Sequence, residues 1–122
     1  MRQKEKTRLI HKSLYEMQAE ICSALANPVR IQILDLISEK EMTSTELLEI
    51  LEIPKANLSQ HLTVLKDAGI LNSRKEGLYQ HLSLALPKIK EACQLVRGIL
   101  AERIAGEEKK NLALIKQLKS QK

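Results

Sequence analysis

Apolar residues recur along this chain at two different spacings, and the spacing changes near residue 71. In the first part they return every three or four residues, which is the period of an amphipathic helix. That period predicts a first helix over about residues 8–26. Asn27 and Pro28 then provide an N-cap and a first helical position for a second helix. Its sequence, VRIQILDLIS, is apolar on nearly all sides and predicts a buried position.

Two further helices follow, joined by a tight turn. Thr43–Glu46 has the capping-box pattern that opens a helix, and the apolar residues behind it predict that this helix runs to Leu51. After a connection of two residues, Pro54 starts a fourth helix, which Gly69 closes. The pattern predicts a helix-turn-helix over about residues 43–68.

The fourth helix has one apolar side and one side of short polar residues. Its apolar side consists of Leu58, Leu62 and Leu65. Its opposite side and flanks consist of Lys55, Ala56, Asn57, Ser59, Gln60, Thr63 and Lys66. An ordinary solvated face would be mostly Lys and Glu in a chain with 29% charged residues. The short polar side chains are therefore interpreted as facing a hydrogen-bonding partner, with contact to water as the alternative.

The period then changes to two. Leu78, Gln80, Leu82 and Leu84 alternate with Tyr79, His81 and Ser83, which is typical of a strand with one buried face. The preceding segment ILNSRKEG predicts the partner strand, so that residues 70–84 form a two-stranded hairpin. Arg74 and Lys75 are expected at its tip.

Pro87 is predicted to open the last helix. Its apolar line is Ile89, Cys93, Val96, Leu100 and Ile104. Gly106 and the polar residues behind it leave open whether residues 106–122 continue this helix. The pattern contains no internal repeat and no linker, so residues 1–122 are expected to form one mainly α domain of about five helices and one hairpin.

Composition narrows the class of protein. With 122 residues, 43% of them apolar, the chain is long enough for one globular domain. No apolar run reaches the ~20 residues that span a bilayer, and the charged N-terminus has no signal core. A cytoplasmic protein without a membrane partner is expected. The two cysteines, Cys22 and Cys93, are expected to be reduced thiols rather than a disulfide scaffold.

Charge is distributed unevenly within the overall +5. Residues 35–53 carry a net −5, whereas residues 54–90 carry a net +4. A basic segment next to an acidic one favours a polyanion that approaches from one side, although solubility alone is an alternative explanation. The chain has no Phe or Trp and two Tyr, so it lacks the aromatic platforms that stack single-stranded bases. Duplex DNA is the favoured partner.

The polar side of the fourth helix suits the major groove. Gln60 or Asn57 is able to pair with adenine, and Ala56 is able to touch a thymine methyl. Ser59 is suited to either a base or a phosphate. The cations on the helix and hairpin are expected to neutralise phosphates, or the hairpin tip to reach the minor groove. These cations are Lys55, Lys66, Arg74 and Lys75.

Three segments together resemble a known family. CSALANPVRIQILDLIS, STELLEILEIPKANLSQHLTVLKDAGIL and SRKEGLYQHLSL are similar to ArsR-type winged helix-turn-helix transcriptional repressors, over about residues 14–105. The resemblance implies a symmetric homodimer through the first and last helices and a palindromic operator. It also implies release from DNA by a metal, metalloid or thiol-reactive signal.

The inducer sites of that family are not present in this chain. The Cys-x-Cys position at the start of the third helix reads Thr43–Leu48, and no His follows His81 on the last helix. No metal site is therefore assigned. Cys22 and Cys93 remain as a candidate thiol sensor for a metalloid, reactive sulfur or an oxidant. The alternative is that both are small buried hydrophobes.

Two other classes of function fit the sequence less well. No phosphate-binding loop, paired His or nucleophile with its base is present, so no enzyme is expected. A winged-helix module for protein contacts would favour exposed apolar anchors over Asn57, Ser59 and Gln60. The sequence predicts a dimeric DNA-binding repressor. The alternatives are the protein-interaction module and a DNA-binding repressor with no thiol or metal inducer.

Overall fold

The computed structural model describes residues 3–120 of the chain, with side chains from residue 13 onward. In these residues the elements are α1 (Gln3–Leu25), α2 (Pro28–Glu39), β1 (Met42–Thr43), α3 (Ser44–Leu51), α4 (Lys55–Asp67), β2 (Leu71–Glu76), β3 (Tyr79–Leu84) and α5 (Lys88–Ser120). The strands form one antiparallel sheet in the order β1-β3-β2. The predicted fold class, a winged helix-turn-helix, is confirmed.

The core lies where α2, α3 and α4 pack around the β2–β3 hairpin. Its fully buried members include Ile33, Leu47, Leu65, Ile70 and Leu82, each with none of its surface exposed. These residues come from three helices, one strand and the α4–β2 connection, so each element loses apolar surface to water by joining the others. The apolar sequence of α2 predicts a buried helix, and Ile33, Leu34 and Ile37 are buried, but the burial does not extend around the whole helix. Its Ile31 is 38% exposed, because only one side of the helix faces the core.

Thr43 belongs to the sheet and also caps a helix. Its side chain accepts from the Glu46 backbone N–H at 3.1 Å, and the Glu46 carboxylate accepts from the Thr43 N–H at 3.3 Å, which confirms the predicted capping box. Thr43 also pairs with His81 of β3, and Met42 pairs with Leu82. The sequence pattern predicted two strands and missed this third one, because a strand of two residues is too short to show any period.

The turn between α3 and α4 contains a residue in the left-handed conformation. Glu52 has φ 52°, and its N–H donates to the Leu48 carbonyl at 3.0 Å, which ends α3. Glycine is the residue that adopts this conformation without steric cost. The tight connection between the two helices is therefore made at the expense of local strain.

The last helix is continuous. α5 covers 33 residues and passes through Gly106 without interruption, so residues 106–120 continue the helix. The protein divides into a compact unit through Ile89, which holds the helix-turn-helix and the sheet, and a second unit from Lys90 onward. The second unit is helical in every described residue.

We expect Glu52→Gly to stabilise the protein by about 0.5–1 kcal/mol. The left-handed conformation costs a non-glycine residue about 1–2 kcal/mol, and glycine avoids this cost. Because glycine is more flexible in the unfolded chain, it loses more entropy on folding, which cancels about half of that gain. Glu49→Gly removes the same charge from the interior of α3 and should cost about 1 kcal/mol. Urea unfolding of both variants measures the two changes. A loss of stability in Glu52→Gly would contradict the strain at this turn.

Candidate nucleic-acid interface

Burial of three leucines sets the orientation of α4. Leu58, Leu62 and Leu65 are at most 3% exposed, so the opposite side of the helix faces outward. The predicted residues on that side are all exposed except Lys66, which is half-buried. The exposed ones are Lys55, Ala56, Asn57, Ser59, Gln60 and Thr63.

The end of α4 is fixed by a Schellman motif. Gly69 has φ 74°, its N–H donates to the Lys66 carbonyl at 2.9 Å, and the Ile70 N–H donates to the Leu65 carbonyl at 3.0 Å. Ile70 and Leu65 are both fully buried, as the apolar contact of this motif requires. The predicted end of the helix at Gly69 is confirmed, and the last turn of α4 is tied to the core.

Arg30 joins α4 to the ends of two other helices. Its Nε donates to the Ala24 carbonyl at 2.7 Å and one terminal nitrogen donates to the Ser23 carbonyl at 3.2 Å, both at the end of α1. Its other terminal nitrogen lies 3.3 Å from Nδ1 of His61 on α4. His61 is half-buried and therefore packs between helices rather than facing outward. No local pattern indicated this role of Arg30, because its partners are 6, 7 and 31 residues away.

The hydroxyl of Thr63 is already engaged within α4. It donates to the Ser59 carbonyl at 2.9 Å, a bond that exposed threonines commonly make within a helix. Because Thr63 is exposed and its hydroxyl hydrogen is used in this bond, its methyl group and oxygen lone pairs are what it offers to a ligand. Thr63 is therefore suited to apolar contact and to accepting a hydrogen bond.

A cleft of about 180 Å³ lies between α3, α4 and the hairpin. Its lining residues are Ser44, Leu48, Lys55, Leu58, Ser59, Leu62, Thr63, Lys66 and Gln80. The side chains of Lys55 and Lys66 have no hydrogen-bond or ion-pair partner among the described residues. The cleft thus combines two uncompensated cations with hydroxyl and amide groups, which is the chemistry that binds a phosphate backbone.

Two polar residues of this cleft were absent from the predicted set of DNA-binding residues. Ser44 was assigned only to the capping box, and Gln80 only to the inward-facing side of a strand. Gln80 donates to the Ser73 hydroxyl at 2.7 Å, which fixes its side chain across the hairpin. The period-2 pattern could have indicated the position of Gln80. It places Gln80 on the same side of the strand as Leu82, and a polar residue at such a position lies at the edge of the apolar face.

The two hairpin cations lie on opposite faces of the sheet. Arg74 pairs with His81 and Lys75 pairs with Gln80, and neighbouring residues of a strand point to opposite sides. Gln80 lines the cleft beside α4, so Lys75 shares the face that borders α4. The Lys75 side chain has no hydrogen-bond or ion-pair partner in the described part of the chain.

Arg74 is held by carboxylates on the other face. One terminal nitrogen donates to Oε1 of Glu41 at 2.8 Å and Nε donates to Oε1 of Glu76 at 3.2 Å. Hydrogen bonding to Glu41, together with the charges of Glu41 and Glu76, raises the pKa of Arg74 above its usual value. His81 lies between the same two carboxylates, at 3.3 Å from Glu41 and 3.5 Å from Glu76. Any phosphate contact by Arg74 must therefore use its remaining N–H groups.

The expectation that these cations form the hairpin tip is wrong. The turn consists of Gly77 and Leu78, and Leu78 is 97% exposed instead of lying on the buried face of β3. Glycine with φ 61° at the first central position is typical of a type II′ turn, in which two residues join the strands. The turn sets the register so that Glu76 pairs with Tyr79, which leaves Leu78 outside the strand.

The two cysteines lie on different helices and are both thiols. Cys22 is exposed on α1, and Cys93 is half-buried on α5. Within a single chain, Cys22 is therefore not part of the core. Among the side chains that the structure describes, no group of three or more His, Cys, Asp or Glu is placed to hold a metal ion.

Known proteins share this arrangement. A family model described as a helix-turn-helix domain matches residues 25–74. The HTH-type transcriptional regulator Rv0081 of Mycobacterium tuberculosis is 39% identical over 89 residues, which cover 72% of this chain and 78% of that protein. Its crystal structure superposes with a TM-score of 0.71, covering 77% of this chain and 95% of the other. A winged helix-turn-helix domain from Mycobacterium bovis, described as homodimeric and as a possible ArsR-family transcriptional regulator, has a TM-score of 0.70 at 28% identity over 77% of this chain and 87% of its own.

The chain belongs to the ArsR-type family of winged helix-turn-helix transcriptional regulators. The probable mercury resistance operon repressor of Streptomyces lividans is a further relative of this ArsR-type regulator, 32% identical over 72% of the chain and 70% of the relative. Because these relatives are regulators, the prediction that the protein is not an enzyme is confirmed. In residues 3–120 of the regulator, no helix has both the length and the apolar character needed to cross a membrane.

Proposed function

We propose that this regulator is a dimeric repressor that reads a palindromic operator with the exposed side of α4. The observation that carries the proposal is the side chain composition of that side, where short hydrogen-bonding groups lie next to lysines without partners among the described residues. A helix fits the major groove of B-DNA, which is about 12 Å wide. Its first turns would contact base edges while the flanking cations contact phosphates.

The amides of Asn57 and Gln60 are the proposed base-reading groups. An amide both donates and accepts, so it is able to pair with N6 and N7 of adenine in the major groove. Ala56 and the Thr63 methyl group are suited to thymine methyls, and Ser59 to a base or a phosphate. Asn57 and Gln60 make no hydrogen bond to another described side chain or backbone group apart from those of the helix itself. Their side-chain amides are therefore available to a ligand.

The proposed phosphate contacts surround this reading face. Lys55 and Lys66 line the cleft at the hairpin side of α4, and Lys75 lies on the hairpin face that borders it. Arg74 would act from the opposite face through the N–H groups that Glu41 and Glu76 leave available. Charges on both sides of the hairpin suit a wing that lies along the DNA backbone.

Exposed apolar residues support the proposed homodimer. α1 exposes Leu14 and Met17, which are 55% and 61% exposed. On α5, Val96, Leu100 and Ile104 are 60%, 42% and 47% exposed. Apolar stripes of this extent on single helices favour association with another helix. A two-fold dimer would present two copies of α4 to half-sites about one helical turn of DNA apart, which is why a palindromic operator is proposed.

A thiol-reactive signal is the proposed means of derepression. Cys22 is exposed on α1 and Cys93 lies on α5, so both helices of the proposed dimer interface carry a thiol. Modifying or bridging the thiols would change how the interface helices pack and would rotate the two copies of α4 out of register with their half-sites. The described side chains offer no metal cluster within one chain, which favours a metalloid, reactive sulfur or an oxidant as the effector.

Gln60→Ala and Asn57→Ala should each lower the preference for operator over random duplex by about 1–3 kcal/mol, because each removes a base contact. Gln32→Ala is the matched control, since Gln32 is an exposed glutamine on α2. The operator is first selected from a random duplex pool, and mobility-shift titrations then compare the two kinds of DNA. An unchanged preference in both α4 variants would contradict base reading by α4.

The full-length protein should sediment as a dimer at micromolar concentration, and Leu100→Glu should make it a monomer by placing a charge on the apolar stripe of α5. Leu95→Glu is the control, because Leu95 is 71% exposed and lies on the other side of the helix. Sedimentation equilibrium measures the three masses. A wild-type monomer would contradict the dimer.

Operator affinity of the reduced wild-type protein should fall when trivalent arsenic, a polysulfide or a thiol oxidant is added, and Cys22→Ser or Cys93→Ser should abolish that response. The serine variants should bind the operator normally in the absence of the agent, since neither residue lies on α4 or the hairpin. Titration of labelled operator with each agent gives the result. A wild-type protein that responds to none of the three is a repressor without a thiol-based inducer.

A further inference from the structure

The tip of the hairpin is apolar. Leu78 is 97% exposed and the adjacent Tyr79 is 56% exposed, at the point where the sheet extends furthest from β1. Two-residue hairpin turns are usually built from Gly, Asn, Asp or Ser, which tolerate the backbone and hydrogen-bond to water. A leucine at this position adds nothing to the turn geometry, and its side chain buries almost no surface within the chain. Its apolar surface is therefore available to a partner.

The hairpin holds Leu78 in a defined place. β2 and β3 pair over their full length of six residues each, and the Gln80–Ser73 hydrogen bond braces one face. On the other face, Arg74 and His81 bind Glu41 and Glu76 and attach the hairpin to the residue before β1. A preorganised apolar group loses little conformational entropy when it is buried.

The length and charge of the hairpin point to DNA as that partner. Six residues at about 3.3 Å each carry the tip roughly 20 Å beyond Leu71, which exceeds the ~12 Å width of the major groove. With α4 in the major groove, the tip would pass the phosphate backbone and reach the neighbouring minor groove. The carboxylate of Glu76, beside the tip, is paired with the Arg74 guanidinium, so its repulsion of phosphates is reduced.

We propose that Leu78 is an apolar minor-groove contact, which packs against deoxyribose and base edges and partly opens a base step beside each half-site. Leucine is among the side chains that minor-groove proteins insert in this way. The proposal rests on the proposed operator binding and adds a specificity device to it, because steps that unstack easily would be favoured at the flank. Lys75 and the other cations then supply affinity that depends on salt, whereas Leu78 supplies affinity that does not.

The test compares Leu78→Ala with Lys75→Ala on the selected operator over a range of salt concentrations. Leu78→Ala should weaken binding on the order of tenfold, from lost apolar burial, and leave the slope of log affinity against log salt unchanged. Lys75→Ala should weaken binding and reduce that slope by about one. Leu86→Ala is the matched control, since Leu86 is an exposed leucine outside the hairpin and should behave as wild type.

A second readout is independent of affinity. 2-Aminopurine placed at the flanking base step should become more fluorescent when the wild-type protein binds, and this increase should be absent in Leu78→Ala. Equal affinities of Leu78→Ala and the wild type, or an equal fluorescence increase, would overturn the minor-groove contact and leave the tip as a surface for another protein. A reduced salt slope in Leu78→Ala would also overturn it. If the wild-type protein binds no duplex at all, the proposed operator binding itself is wrong. This outcome differs from one in which the protein binds DNA and only the Leu78 contact is wrong.

Discussion

The burial of Leu58, Leu62 and Leu65 determines what the rest of the molecule presents to its surroundings. These side chains pack α4 against α2, α3 and the sheet. Because one side of the helix is fixed in the core, the direction in which the opposite side faces is fixed as well. The Schellman motif at Gly69 and the Arg30–His61 contact then fix the end of α4 and its flank. A loss of packing at any of the three leucines would therefore disturb the core and the outward-facing side of α4 together. Core stability and the proposed DNA recognition therefore depend on the same helix.

Local periodicity was sufficient to predict the helices and the cap. The capping box at Thr43, the end of α4 at Gly69 and the two sides of α4 all depend on residues within about one turn of each other, and the structure agrees with each prediction. The continuation of α5 through Gly106 could not be predicted, since a glycine weakens a helix without ending it. The exposed positions of the proposed base-reading residues on α4 follow from the same local rule.

Contacts between distant residues could not be predicted in this way. The third strand pairs Met42 with Leu82, and Arg30 reaches His61 across 31 positions. The hairpin was mispredicted because alternation gives the faces of a strand and does not give the register, which the turn at Gly77 decides. As a result Leu78 moved from the predicted buried face to the tip, and Arg74 and Lys75 were found on opposite faces. The pairing of Arg74 with Glu41 could not be predicted either. The net charge of a segment gives no information about ion pairs between different segments.

The double role of Thr43 has a mechanical consequence. One residue caps α3 through its side chain and joins the sheet beside His81, so the first helix of the helix-turn-helix and the wing share an attachment point with no hinge between them. A displacement of the wing by a bent or widened groove would therefore act on the start of α3 through Thr43. The fit of the wing to flanking DNA and the fit of α4 to the core sequence would then depend on each other. A flank of unfavourable shape would lower the affinity even for an optimal core sequence.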